Sequence, residues 1–360
     1  MKVYNFSAGP SMLSEDVKIE AQRDFLNYSN SGMSVTEMSH RSKQFEEIHN
    51  AGISLLRELM NISNNYAVLF LQGGASQQFD AVPLNLLKTG RADYIVTGNF
   101  ASKAAQEAKK YGDISIAASS KNKNYNYIPD LDTIVFRENI DYVHITQNNT
   151  IFGTRYTSLP KTSAPLVTDA SSMILSEELD VAKFGLIYAG AQKNIGPAGL
   201  TVVIVRKDLI STPMSICPTM LKYSIQEENN SLYNTPPCFC IYMAMLAFKQ
   251  LKKMGGIQEI YKLNVRKADL LYDFIDNSAF YTNNVNKKDR SLMNVPFTTP
   301  SAELDASFVK EAANYGLVSL KGHRSVGGMR ASIYNAMPID GVEKLISFMK
   351  QFEIQNKSCH

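Results

Sequence analysis

The sequence predicts an α/β protein in which a large unit with a mostly parallel sheet is followed by a smaller α+β unit. Between residues 66 and 205, short runs that are apolar throughout alternate with amphipathic stretches, as strands covered on both faces by helices would. After Gly255-Gly256 the order changes to long helices interleaved with a few isolated strands. The 360 residues are 44% hydrophobic and 20% charged, enough apolar material for one large core and a second, smaller one.

Residues 1–15 read as an extended entry. Ser14 stands at a helix N-cap position, and Glu15 and Asp16 follow in the first turn, where negative charge offsets the helix dipole. Phe45, Ile48, Leu55, Leu56 and Leu59 fall on one helical face. Tyr66 to Leu71 is the first strand, closed by Gly73-Gly74 and followed by a helix. Ala92 to Thr97 is the second, with a helix over about 101–110 behind it. Strands are expected at Tyr142 to Thr146, Leu166 to Asp169, Leu186 to Ala189 and Leu200 to Val205. Pro236-Pro237 opens a helix reaching Lys253, since proline is tolerated in a first turn, and a second long helix spans about 257–276. A strand near Met293 to Phe297, a helix near Leu304 to Tyr315, a strand near Met329 to Tyr334 and a last helix near Gly341 to Phe352 complete the chain. The expected division is 1–15 entry, 16–255 large domain and 256–360 small domain.

The net charge of +3 is spread along the chain, which argues against a nucleic-acid partner. Four cysteines, Cys217, Cys238, Cys240 and Cys359, match neither a zinc site nor a disulfide scaffold. The first residues lack the apolar core of a signal peptide, and no run is long enough for a membrane span. The protein is therefore expected to be soluble and cytoplasmic, with no metal and no membrane partner.

Ligand groups in open α/β sheets gather at the C-terminal ends of strands. Four strand ends here carry polar residues. Gly73-Gly74-Ala75-Ser76 joins a strand to a helix start, where backbone N–H groups and the dipole favour an anion; glycine pairs also serve as plain turns. Asp169 either caps the helix after it or faces a cationic ligand atom. Lys193 sits in a small, apolar setting, where burial would lower its pKa and free its amine as a nucleophile, unless it snorkels to solvent. Gln147-Asn148-Asn149-Thr150 offers amides and a hydroxyl. Phosphate cradle, carboxylate and lysine together fit pyridoxal 5′-phosphate, the lysine bonding its aldehyde carbon and the carboxylate its ring nitrogen. His40-Arg41 and the group His323, Arg324 and Arg330 supply more cationic capacity than one carboxylate needs.

These motifs, with Asn5-Phe6-Ser7-Ala8-Gly9-Pro10, Tyr188 to Gly199, Tyr233 to Pro237 and Gly327 to Asn335, resemble nearly end to end the class V aminotransferases of the fold-type I pyridoxal-phosphate enzymes. The resemblance implies Lys193 as the Schiff-base lysine and Asp169 as partner of the ring nitrogen. It places Ala75, Ser76, Phe100, Thr150 and Gln192 around the cofactor, and has Asn234 and Thr235 reach the cofactor phosphate of the other subunit of a homodimer. Arg41 and Arg330 match substrate carboxylate contacts, and His40, His323 and Arg324 match a substrate phosphate pocket. It further implies glutamate as donor and 3-phosphohydroxypyruvate as acceptor in serine biosynthesis, with a parallel role in pyridoxine synthesis. Lys193 would serve as general base and acid in a ping-pong scheme. Many relatives stack a tryptophan on the ring; this chain has none, and Phe100 takes that place. Some carry Arg where Ser76 stands.

Rival readings are weaker. A desulfurase of the same class needs a cysteine on a mobile loop, which none of the four matches. An alanine- or serine-specific aminotransferase has no use for His323, Arg324 and Arg330 together. A non-catalytic relative would not need both Lys193 and Asp169, and a Rossmann dehydrogenase would show Gly-x-Gly-x-x-Gly after an early strand.

Overall fold

The computed structural model describes residues 2–357; Met1 and residues 358–360, Cys359 among them, lie outside the described residues. In chain order the elements are β1 (Tyr4–Asn5), α1 (Glu15–Leu26), α2 (Lys43–Leu59), β2 (Tyr66–Leu71), α3 (Gly74–Leu86), β3 (Arg91–Val96), α4 (Asn99–Ala108) and β4 (Asp113–Ser119). Next come β5 (Tyr142–Thr146), β6 (Asn148–Asn149), β7 (Thr154–Arg155), β8 (Leu166–Asp169), β9 (Leu186–Gly190), β10 (Thr201–Arg206), α5 (Tyr223–Glu228) and α6 (Cys238–Lys253). The chain continues with α7 (Gly256–Asn277), β11 (Asn294–Phe297), α8 (Ala302–Asn314), β12 (Leu317–Val318), β13 (Met329–Ser332) and α9 (Ile339–Lys357).

Seven strands form one sheet in the order β2-β10-β9-β8-β5-β3-β4. Only β10 runs against its neighbours; the pairs β9–β8, β8–β5, β5–β3 and β3–β4 are parallel. Successive side chains go to opposite faces, and both faces are covered. In β2, Tyr66, Val68 and Phe70 enter a core with α1, α2 and α6, while Ala67 and Leu69 enter the core under α3 and α4. In β9, Ile187 and Ala189 take the first side, Leu186 and Tyr188 the second. This double burial is why the strands read as uninterrupted apolar runs.

A third core joins α7, α8, α9 and the β11–β13 pair, around Phe297, Phe308, Phe348 and Phe352. The entry segment belongs to it: Tyr4 and Phe6 are buried there, and β1 pairs in parallel with β12. Helix α7 straddles two cores, with Ile257 and Ile260 in the first and Ala268, Leu271 and Ile275 in the third.

Some expected details differ. Ser14 occupies the N-cap of α1, but its hydroxyl makes no capping bond; Ser42 caps α2 instead, accepting from the N–H of Phe45. Edge strand β4 (DISIAAS) was not anticipated, because one half-exposed edge carries no continuous apolar run. Strand β13 stops at Ser332, two residues short of expectation, because the carbonyls of Ile333 and Tyr334 turn to a buried lysine on α7.

Candidate active site

Parallel β5 and β8, with β9 beside them, bring their C-terminal ends to one edge, and the polar residues just beyond them meet there. Lys193, just past β9, points its amine at the hydroxyl of Thr150, past β5: Nζ donates to Oγ1 at 2.8 Å. The same amine lies 5.7 Å from the centre of the Phe100 ring, in the first turn of α4. Burial pulls its pKa down to about 8; Asp169 resists that shift and the Arg330 charge adds to it. With its amine bonded to Thr150 rather than turned outward, Lys193 does not snorkel to solvent.

Asp169 ends β8 and is buried. One carboxylate oxygen, Oδ1, accepts from the N–H of Ser171 at 2.9 Å, so the residue does tie down the turn after it. Burial raises its pKa, while Lys193 and the Ser171 bonds hold it down. Beneath it, His144 shares a 2.9 Å hydrogen bond with the Tyr188 hydroxyl and stacks on Tyr94, buried enough to keep its pKa near about 3. The ring is neutral at any physiological pH.

The β2–α3 turn has Gly73 at φ 87° and Gly74 at φ 68°, the left-handed region that favours glycine. The turn delivers the α3 N-terminus, with its unpaired N–H groups at Gly74, Ala75 and Ser76, to the strand-end edge. Ala75 and Phe100 both pack on the core that holds Tyr188. Gln192 is held between two backbones: its carbonyl accepts from Ser11 N–H at 2.9 Å, and a Cβ on Gly9 would come within 3.1 Å of its Cγ. The entry segment thus runs across the Lys193 loop, where the Ser11 hydroxyl also donates to the Lys193 carbonyl.

Arg330, on β13, reaches over from the third core. One guanidinium nitrogen donates weakly to the Thr150 carbonyl, at 3.4 Å, and its Nε has no partner. Its charge is near enough to help lower the pKa of Lys193. His323 and Arg324 lie on the loop before β13. The Nδ1 of His323 pairs with the Ser325 hydroxyl, which also accepts from Asn99 Nδ2 at 3.3 Å, so this loop is pinned to the start of α4. Burial and the charges of Arg330, Arg324 and Lys103 lower the His323 pKa. Lys103 was not singled out from sequence. Its place three residues after Phe100 on one helix is the signal for it, since i and i+3 share a face.

Four predicted residues are not brought to Lys193 within one chain. Arg41 is exposed on the segment before α2, and His40 Nε2 is buried there without a partner. Asn234 and Thr235 are exposed on the flank of the β2–α3 turn, where Gln72 Nε2 donates to the Thr235 carbonyl at 3.1 Å. Asn234 lines, with Gly73 and Gln77, a cleft of about 350 Å³. None of the four hydrogen-bonds to Lys193, Asp169 or Arg330. Of the described cysteines, Cys217 is buried and Cys238 and Cys240 are half-buried on α6; burial pushes all three thiols up in pKa, away from thiolate chemistry.

The residues fit pyridoxal phosphate. A buried carboxylate at a strand end beside Lys193 suits a protonated ring nitrogen, a lysine near neutrality suits an aldehyde, Phe100 offers an aromatic face, and a helix N-terminus suits a phosphate.

Residues 3–345 match the family described as Aminotransferase class-V. Over 358 residues the chain is 55% identical to a phosphoserine aminotransferase of Bacillus cereus, covering 99% of each protein. Its structure resembles that of the phosphoserine aminotransferase from Bacillus circulans subsp. alkalophilus with a TM-score of 0.96 at 48% identity, covering 98% of this chain and 99% of the other. It also resembles the pyridoxal-phosphate-bound phosphoserine aminotransferase from Trichomonas vaginalis, with a TM-score of 0.93 at 38% identity and 97% and 100% coverage.

Proposed function

The chain belongs to the class-V aminotransferase family, and from that premise we propose that it moves the amino group of L-glutamate to 3-phosphohydroxypyruvate, giving O-phospho-L-serine and 2-oxoglutarate. Pyridoxal 5′-phosphate is its cofactor. One observation supports the substrate assignment: the Arg330 charge acts on both the Lys193 amine and His323, and Arg324 and Lys103 add theirs at His323, so the cations beside Lys193 are numerous enough for a carboxylate and a phosphate together.

When bound, the cofactor supplies a carbonyl that takes up the amino group and a ring that withdraws electrons from the substrate carbon. The chain's own residues do the rest. Lys193 Nζ, with its pKa lowered to about 8, would accept the proton from the substrate α-carbon and deliver it to the former carbonyl carbon within the same half-reaction, and the second half runs that transfer backwards. The Thr150 hydroxyl, 2.8 Å away, fixes the amine between those duties. Asp169 keeps a negative charge opposite the ring nitrogen, and the N–H groups at Ala75 and Ser76 hold the cofactor phosphate. Phe100 and Gln192 line the ring. Arg330 grips the substrate carboxylate; His323 and Arg324 face its phosphate.

Asn234 and Thr235 complete the cofactor phosphate site, and His40 and Arg41 the substrate site, from a second copy. That none of them hydrogen-bonds to Lys193, Asp169 or Arg330 within one chain supports a homodimer with shared sites. A 256–360 small domain follows a 16–255 large one after the 1–15 entry, supported by the separate third core. The setting is cytoplasmic serine biosynthesis, with pyridoxine synthesis as a parallel use; no helix among the described residues is long and apolar enough to cross a membrane.

The test gives the purified protein glutamate with either 3-phosphohydroxypyruvate or unphosphorylated hydroxypyruvate and follows 2-oxoglutarate. A strong preference for the phosphorylated acid is expected. Equal rates would remove the phosphate pocket.

A further inference from the structure

Lys267 lies on α7 at 0% exposure, a cation in the interior. Its ammonium donates to three backbone carbonyls, Ile333 at 2.9 Å, Tyr334 at 2.8 Å and Met337 at 3.1 Å. All three donors of the group are thereby used, and all three acceptors lie on the turn between β13 and α9. An apolar residue here would take the ammonium from all three carbonyls, of which the Tyr334 oxygen keeps a second partner, the Met337 N–H at 2.9 Å.

That turn is tied to the active site by amides. The N–H of Asn335 donates to Asn194 Oδ1 at 3.0 Å, and Asn335 Nδ2 donates to the Leu175 carbonyl at 2.8 Å. Asn264, one turn before Lys267 on α7, donates to Asn335 Oδ1 at 2.9 Å and to the Ser176 carbonyl at 3.1 Å. Asn194 follows Lys193 directly, and Arg330 precedes the turn by three residues on β13.

We propose that Lys267 is a positioning residue: by gripping the 333–337 turn it sets the place of the Arg330 guanidinium relative to the Lys193 amine. This rests on the reading of Arg330 as the carboxylate-binding residue. With all its donors on backbone carbonyls, Lys267 acts through β13 and through Asn335. Burial pulls its pKa down to about 7 with no carboxylate to offset it, so the three carbonyls alone favour the charged form. A cation kept at that cost for packing alone would be an odd choice beside the similarly sized methionine.

Lys267→Met removes the three bonds and keeps most of the volume. In the cofactor-loaded protein, below its own melting temperature, KM for glutamate should rise about tenfold, the scale of a distorted charge-assisted hydrogen bond, with kcat within about twofold. Amide hydrogen exchange over 329–337 should accelerate, and calorimetry should show weaker binding of 2-oxoglutarate. A variant with lowered thermal stability but wild-type KM, exchange and binding would overturn the proposal. If Lys267→Met does not fold, Asn335→Ala removes the ties of the same turn to the Leu175 carbonyl and to Asn264, and the same measurements decide. Should the wild-type protein show no transamination, the functional reading itself falls, while the exchange data still report whether Lys267 holds the turn.

Discussion

Replacing Arg330 with alanine tests the substrate site most sharply. Its guanidinium carries five N–H donors, of which one makes a long 3.4 Å bond to the Thr150 carbonyl while Nε makes none. A carboxylate held by the remaining fork forms two charge-assisted bonds, each worth roughly 1.5–3 kcal/mol. Arg330 is only partly buried, so the lower figure applies, and two bonds come to about 3 kcal/mol. At about 1.4 kcal/mol per decade, kcat/KM should fall about 150-fold, mostly through KM, because the bonds form in the ground state as well. Arg330→Lys keeps the charge but loses the fork, and should fall only about tenfold. A second readout comes from electrostatics: the Arg330 charge helps to lower the Lys193 pKa, so its removal should move that pKa upward from about 8. Steady-state kinetics with both substrates, and the pH dependence of Lys193 modification by an amine reagent in the cofactor-free protein, measure the two effects. KM unchanged for every substrate, together with an unmoved Lys193 pKa, would refute the placement of Arg330 in the site.

Asp169→Asn keeps the shape of the buried side chain and removes its charge; kcat should drop about 10²- to 10³-fold, and the Lys193 pKa should fall, since Asp169 holds it up. Activity within about tenfold of wild type would contradict the role given to that carboxylate. In the cofactor-free protein, Lys193 has a pKa of about 8 against about 10.4 in an unfolded chain, so the unfolded state binds the extra proton between those values. Stability should therefore rise as pH climbs from 8 towards 10, and a Lys193→Met variant in denaturant titrations should lack that rise. Arg41→Ala and Lys193→Ala proteins should each be inactive alone, yet mixing them under subunit exchange should restore about a quarter of wild-type activity, because one intact site forms in each mixed dimer. No recovery would place Arg41 within its own subunit's site or outside any site.

The sheet was legible because its central strands are buried on both faces. Tyr66–Leu71 and Leu186–Gly190 send alternate residues into different cores, so no polar position interrupts them. Strand β4 escaped because its Ser and Asp positions face water at an edge, and β1 because a two-residue pairing with β12 leaves no periodic trace. Lys193 and Asp169 stood out as charged residues directly after apolar strands. The Thr150–Lys193 bond and the weak Arg330–Thr150 contact depend on how the third core packs against the sheet, which local pattern does not encode. Lys267 was invisible for the same reason: on a helix with a polar face, its sequence position looks like any surface lysine until the 333–337 turn closes over it.

Borohydride reduction of the cofactor-loaded protein, followed by peptide mass mapping, asks directly where the carbonyl of pyridoxal phosphate is held. The peptide bearing Lys193 should gain one reduced pyridoxyl-phosphate group, and the same treatment of Lys193→Ala should label nothing. An adduct on Lys103, Lys267 or any other lysine, or no adduct on the wild-type chain, would contradict the assignment of Lys193 at its root.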